Sequence, residues 1–368
     1  MHRQTALLLI FLLQPPLSIC RGQSALTSAD KKRWSIQLSP GFGFLIAHRS
    51  SIAYLQQRHS RFAEAGFFRQ AEGEADWHAT YSYPRYGLVY RMVDPGNRRI
   101  LGIGHALMAR MIFPLAPAGE GNLLAHFSYG MGYWEKPFNT VDNYKNLAIG
   151  SRINGAISVG LSFRKKIFPY SDLSAGIDFM HFSNGSIRVP NLGMNFASIF
   201  IGWTWHFGPD CRPIPTKEPQ ELRRREWSFY AAGALKEKYP PGGKLYPVVA
   251  LNGAYHRALK RKGLLGGGVD VFADHSLPEK IRNESLNGGI MDGALRFGIF
   301  ASAGLRMGRW DGLFQIGGYL YNRYPKDGDV YNRLSLRYHT GSRFFLCMNL
   351  KSHYAKADYI EWGAGYRF

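Results

Sequence analysis

Two side chains that could form an activated nucleophile lie two residues apart near residue 180. The segment around them alternates, so that as a β-strand it would carry His181 and Ser183 on one face with Ile177 and Phe179. In the next such segment, Asn195 occupies the matching apolar face. A hydroxyl, an imidazole base and a third polar group that orients the ring are the parts of a serine hydrolase site. We therefore take Ser183, His181 and Asn195 as candidate catalytic residues.

The face on which these three residues lie makes the pattern unusual. If the apolar face of these strands contacts the hydrocarbon of a membrane, polar groups on that face lack water partners and cost free energy unless they bond to one another. A catalytic role is one explanation for their presence. The alternative is that all three lie just above the hydrocarbon, in the lipid headgroup layer, where polar side chains are ordinary.

The strands that must position these residues are typical of a transmembrane β-barrel. In residues 358–368 one face carries Ile360, Trp362 and Phe368, and the other carries Glu361. An apolar, aromatic face opposite a polar face fits a strand with lipid outside and a polar interior. The terminal Phe also resembles the ending of many outer-membrane barrel proteins.

The composition agrees with an all-β membrane protein and excludes other classes. The chain has 368 residues, of which 14% are aromatic, 45% are hydrophobic and 42 are Gly. So many apolar residues exclude a disordered chain. After the first 20 residues there is no run of about 18 apolar residues, which excludes a helical membrane protein. Three scattered cysteines form neither a disulfide scaffold nor a zinc site, and we predict no metal and no other cofactor.

Residues 1–24 have the features of a secretory signal peptide. His2 and Arg3 precede an apolar stretch, Ala6–Leu13, that is too short to span a bilayer. Export argues against nucleic acid as a partner, although the formal net charge is +20. The anionic surface that an exported bacterial protein meets is lipopolysaccharide phosphate. We therefore expect the protein in the outer membrane of a Gram-negative bacterium.

The chain divides at a Pro-rich, basic connector, residues 208–226. The pattern indicates about eight strands in residues 25–207 and about eight more in residues 227–368. We predict an all-β fold and favour one antiparallel barrel of about 14–16 strands. The length of the connector leaves two tandem eight-stranded barrels as the alternative.

The motif around the candidate serine resembles that of a known enzyme family. The sequence His-Phe-Ser-Asn-Gly at 181–185, followed by Pro-Asn at 190–191, is similar to the signature of the PagL-type lipid A 3-O-deacylases. These acyloxyacyl hydrolase-like enzymes are outer-membrane β-barrel esterases with a lipid-facing active site. The similarity covers roughly residues 34–207.

This resemblance implies a role for each matching residue. Ser183 would be the nucleophile and His181 the general base. Asn184 would lie near the oxyanion, and Asn191 would support the loop. The implied substrate and partner is lipid A, the membrane anchor of lipopolysaccharide.

Asn195 departs from the family pattern, because the third member there is a Glu. An Asn can orient an imidazole ring but supplies no charge, and loss of the acid from a serine triad can cost about 10⁴ in turnover. In one interpretation the site is active with Asn195 as the orienting group, aided by Glu135 or Asp142. In the other the site is degenerate, and the barrel acts as a channel, a lipid-binding protein or a structural protein.

Overall fold

The computed structural model describes residues 33–207, 225–283, 292–354 and 356–368. The predicted signal peptide, residues 1–24, lies outside these ranges, as does most of the predicted connector. Among the helices of the described residues, none has the length and apolar character needed to cross a membrane.

The first eight strands form a closed antiparallel barrel. Each strand pairs with the next along the chain, and β1 also pairs with β8, with Trp34 opposite Phe207 and Ile46 opposite Asn195. A short helix, α1 (Asp76–Thr80), and a 3-10 turn (Ser50–Leu55) lie in its loops. The strands are β1 (Trp34–Ile46), β2 (Ser60–Gln70), β3 (Arg85–Asp94), β4 (Gly104–Ala118), β5 (Gly121–Trp134), β6 (Ile153–Phe168), β7 (Ser171–Ser183) and β8 (Met194–Phe207).

The last eight strands form a second closed antiparallel barrel, in which β9 pairs with both β10 and β16. Its loops contain the helix α2 (Leu277–Asn283) and the 3-10 turns Asp292–Ala294 and Pro325–Asp327. The strands are β9 (Arg225–Glu237), β10 (Leu245–Leu259), β11 (Gly263–Asp274), β12 (Leu295–Met307), β13 (Trp310–Asn322), β14 (Val330–His339), β15 (Phe344–His353) and β16 (Lys356–Arg367).

Two barrels thus stand where the sequence pattern favoured one. The all-β antiparallel prediction and its tandem alternative are confirmed, whereas the single barrel of about 14–16 strands is wrong. Because β8 returns to β1, the first barrel has no free edge to which β9 could add. β9 begins at Arg225, two residues before the predicted start of the second half at 227.

Both interiors contain paired, buried charges beside clusters of buried apolar side chains. In the first barrel Arg91 lies 2.5 Å from Asp178. In the second barrel Arg333 lies 2.9 Å from Asp270 and 3.1 Å from Glu361. An eight-stranded barrel is just wide enough for side chains to fill it. The charges inside must therefore satisfy one another, since they have little water to do so.

The outward faces of both barrels are apolar and exposed. Ile177 is 59% exposed and Ile199 62% exposed on the first barrel, and Leu251 is 51% exposed on the second. This alternation of apolar outward and polar inward residues is the pattern expected of barrels surrounded by hydrocarbon. Polar side chains on an outward face are the exceptions that a function must explain.

Candidate active site

His181 and Asn195 form a hydrogen-bonded pair on the outward face of the first barrel. They are directly opposite each other in the register of β7 and β8. His181 Nδ1 lies 2.6 Å from Asn195 Oδ1. An amide oxygen only accepts hydrogen bonds, so Nδ1 is the donor. In the neutral ring this leaves Nε2 without a proton and able to act as a base.

The orientation of the Asn195 amide is supported by His48, a residue that the sequence motifs do not single out. Asn195 Nδ2 donates to Nδ1 of His48, at 3.0 Å. His48 follows the end of β1, which closes the barrel against β8 and places Ile46 opposite Asn195. His48 lies two residues after Ile46 and so continues the same face of the strand. This places His48 near Asn195 only once β1 is known to pair with β8.

Ser183 is the last residue of β7, and its hydroxyl oxygen receives two hydrogen bonds. Asn191 Nδ2 donates to Oγ at 2.8 Å, and the backbone N–H of Gly185 donates to it at 3.2 Å. Asn191 Oδ1 in turn accepts from the backbone N–H of Asn184, at 3.2 Å. These contacts hold Oγ in place as an acceptor and leave its own proton available to a base.

The side chain of Asn184 is bonded within the loops next to Ser183. The residue is 3% exposed. Its Nδ2 donates to Ser151 Oγ at 2.9 Å and to the carbonyl oxygen of Arg188 at 3.0 Å. The side chain therefore closes the loop that follows β7, while its backbone N–H supports Asn191.

Ser183 and His181 both line one cavity, of about 410 Å³. Among the hydrogen bonds of the described residues, none joins the Ser183 hydroxyl to the His181 ring. Catalytic hydrogen bonds are often long before substrate binds. Gly193 helps to hold the ring on this face, because a Cβ added there would lie 2.9 Å from His181 Cε1 and its φ is +80°.

The acids that could substitute for the missing carboxylate lie elsewhere. Glu135 accepts a hydrogen bond from the backbone N–H of Ile103 at 2.7 Å, and Asp142 is exposed in its loop. Asp178 faces the barrel interior and pairs with Arg91. In the described part of the chain, no group of three or more His, Cys, Asp or Glu side chains could hold a metal ion.

Two family models match the chain, one on each barrel. Residues 61–204 match the family described as lipid A 3-O-deacylase (PagL). Residues 225–368 match the family described as acyloxyacyl hydrolase, C-terminal domain. The second match covers the half of the chain for which the motifs gave no resemblance.

Solved structures with similar barrels differ widely from this chain in sequence. Neisserial surface protein A is 10% identical, with a TM-score of 0.35, over 47% of this chain and 97% of that protein. A Rhodopseudomonas blastica porin mutant is 7% identical, with a TM-score of 0.18, over 91% of this chain and 99% of the porin. No curated protein matches significantly.

Proposed function

The chain belongs to the lipid A 3-O-deacylase (PagL) family, and from that premise we propose that it is an outer-membrane serine esterase that removes an ester-linked acyl chain from lipid A. Family membership supports a hydrolase activity and points to the bacterial outer membrane. The finer assignment to Ser183 and His181 rests on the site itself. One observation carries it: His181, which is bonded to Asn195, and an anchored Ser183 hydroxyl line the same cavity on a face that is otherwise apolar.

The reaction that these groups can perform is acyl transfer to serine followed by hydrolysis. His181 Nε2 takes the proton of Ser183 Oγ as Oγ bonds to the ester carbonyl carbon. The resulting tetrahedral intermediate expels the sugar alkoxide, which receives the proton from the imidazolium. Water, deprotonated by His181, then attacks the acyl-serine and releases the fatty acid and the free hydroxyl of Ser183.

The polar groups around Ser183 supply donors for the charge that develops. Asn191 Nδ2 and the backbone N–H of Gly185 lie beside Oγ. Both donate to Oγ itself, so they stabilise the negative charge on Oγ as its proton leaves. The side chain of Asn184 supports this arrangement through the loop.

Asn195 makes the proposed site weaker than one with a carboxylate. Its amide oxygen fixes the tautomer and the orientation of His181, and His48 fixes the amide. It does not neutralise the imidazolium that forms during the reaction. A catalytically degenerate barrel that binds lipid is the second candidate function, favoured by Asn195 and by the unbonded Ser183–His181 pair.

Mass spectrometry of lipid A separates these two functions. The wild-type chain, Ser183→Ala and the control Ser342→Ala are expressed in a Gram-negative host whose lipid A carries all its ester-linked chains. Ser342 is exposed in the turn before β15. We expect lipid A to lose one acyl chain with the wild type and the control, and to remain intact with Ser183→Ala. Intact lipid A in all three strains would contradict the esterase.

A further inference from the structure

The cavity that contains Ser183 and His181 has walls from both barrels. The first barrel contributes the outward side chains of Phe127, Tyr129 and Ile157. The second barrel contributes side chains of β14 and β15, among them Leu336 and Leu350. Its volume of about 410 Å³ lies within the range of about 300–1,000 Å³ that ligand pockets occupy. We call this cavity the inter-barrel groove.

The second barrel covers the groove with part of its outward face only. Leu346 of β15 is 54% exposed, whereas Met348 and Leu350, further along the same face, are half-buried. On the first barrel, the hydroxyl of Tyr129 lies 2.9 Å from the sulfur of Met348. Met348 is therefore in contact with the first barrel, and we call Leu336, Met348 and Leu350 the covered strip, whereas Leu251 on β10 is exposed.

The loop that carries the serine is fixed to the second barrel. Gly185 has a φ of +59°, and a Cβ there would lie 2.4 Å from Ile360 Cγ1. Ser186 Oγ donates to the carbonyl oxygen of Ala357 at 3.3 Å. The backbone N–H of Val189 donates to the buried carboxylate of Glu237 at 2.7 Å. The position of the residues just after Ser183 thus depends on the second barrel.

The far end of the groove is closed by another contact between the barrels. Tyr81 and Trp310 line that end. The Tyr81 hydroxyl donates to the carbonyl oxygen of Arg306 at 3.0 Å, and Lys262 Nζ lies 5.4 Å from the Tyr81 ring. An apolar groove that is bounded along its length and begins at a nucleophile has the shape required by an extended hydrocarbon chain.

From this arrangement we infer that the inter-barrel groove binds the fatty acyl chain whose ester bond is cleaved, and that the second barrel determines which chains fit. The inference rests on the proposed function, since it names the ligand of that same site. In a membrane the alternative surroundings of the acyl chain are lipid tails, which are as apolar as leucine. The groove therefore selects acyl chains by shape and position. We expect its effect in how the rate of hydrolysis depends on the length of the acyl chain.

A pair of matched tryptophan variants tests this inference. Leu336→Trp places a large ring in the groove, and Leu251→Trp places the same ring on β10 at an exposed outward position. The purified full chain in detergent is assayed on p-nitrophenyl esters from acetyl to palmitoyl. We expect Leu336→Trp to lower the ratio of palmitoyl to acetyl hydrolysis about tenfold or more, because overpacking displaces the chain. Leu251→Trp keeps the wild-type ratio.

A labelling measurement keeps the outcome independent of catalysis. A fatty acid with a terminal diazirine is photolysed with the full chain, and the labelled peptides are mapped. We expect the label on the strip that contains Leu336 and Leu350. If the wild type cleaves no ester but the strip is labelled, the proposed function fails and the binding site stands. Equal ratios of palmitoyl to acetyl hydrolysis for the two variants, or label spread evenly to Leu251, would contradict the inference that the groove binds the acyl chain.

Discussion

The two barrels share a fold and differ in what their seventh strands present to the outside. β7 ends with His181 and Ser183 on its outward face, whereas the outward residues of β15 run through Leu346, Met348 and Leu350. Both barrels close on themselves with eight strands and contain paired charges in their interiors. The seventh strands therefore differ in the polarity of their outward faces.

This contrast separates the residues that maintain a barrel from those that we propose to perform chemistry on it. Buried interior charges recur in both barrels and are explained by the narrow interior. Outward polar side chains bonded to one another are unexplained by the fold alone, and they lie where the inter-barrel groove begins. The second barrel thus complements the first, with an apolar wall opposite a polar site.

The largest expected effect comes from replacing Ser183 or His181 on the outward face of the first barrel. Ser183→Ala and His181→Ala are each expected to lower the rate of ester hydrolysis by about 10⁴ or more, because loss of the nucleophile or base removes the chemical step. Initial rates in detergent measure this, with Ser342→Ala as the control. Heat-modifiable migration reports whether each variant still folds. Substantial activity in a folded Ser183→Ala chain would contradict the assignment.

A smaller loss is expected when the orienting amide is removed. Asn195→Ala should lower turnover by about 10²–10³, since the imidazole loses the partner that fixes its tautomer. Asn195→Glu should match or exceed the wild type, because a carboxylate also stabilises the imidazolium. The comparison is Glu135→Gln, which should change little, as Glu135 is bonded to Ile103. A silent Asn195→Ala together with an impaired Glu135→Gln would give the third role to Glu135.

Replacing an interior charge should lower the stability of the barrel and leave the rate of hydrolysis by the folded protein unchanged. Such a variant tests the contrast between the inward and the outward faces of the strands. Arg333→Met leaves Asp270 and Glu361 without their common partner, and breaking a buried pair costs about 3–5 kcal/mol. We expect a drop of that order in the free energy of unfolding, measured in urea from lipid vesicles, with hydrolysis by the folded fraction retained. An unchanged unfolding midpoint would show that these charges do not stabilise the second barrel.

The smallest effect is expected at His48. His48→Ala removes the acceptor for Asn195 Nδ2, but this hydrogen bond is exposed, so water can replace the imidazole. We expect turnover to fall by about threefold to tenfold, in line with one exposed hydrogen bond, while KM changes little. His59→Ala is a control on the same loop. Equal activity of His48→Ala and the wild type would remove His48 from the site.

Much of the candidate site follows from the motif and from the alternation of the strand faces. Alternation places His181, Ser183 and Asn195 on one face, and the fold brings His181 and Asn195 into contact. Their catalytic roles stay predictions. His48 does not follow from the pattern, because its contact with Asn195 crosses 147 positions of the chain. The bonding of the Asn184 side chain to Ser151 is equally invisible in the sequence, since it depends on the path of a loop.

The sequence by itself determined most of the strands, their inward and outward faces, and the residues that interrupt the apolar face, because these follow from local alternation. Tertiary structure decided where the sheet closes, since pairing of β1 with β8 depends on long-range register and not on the pattern of either strand. It also decided that an apolar strip of the second barrel faces Ser183. Side chains such as Leu336 and Leu350 have the same character wherever they lie on an outward face, and only the packing of one barrel against the other turns them into the wall of a groove.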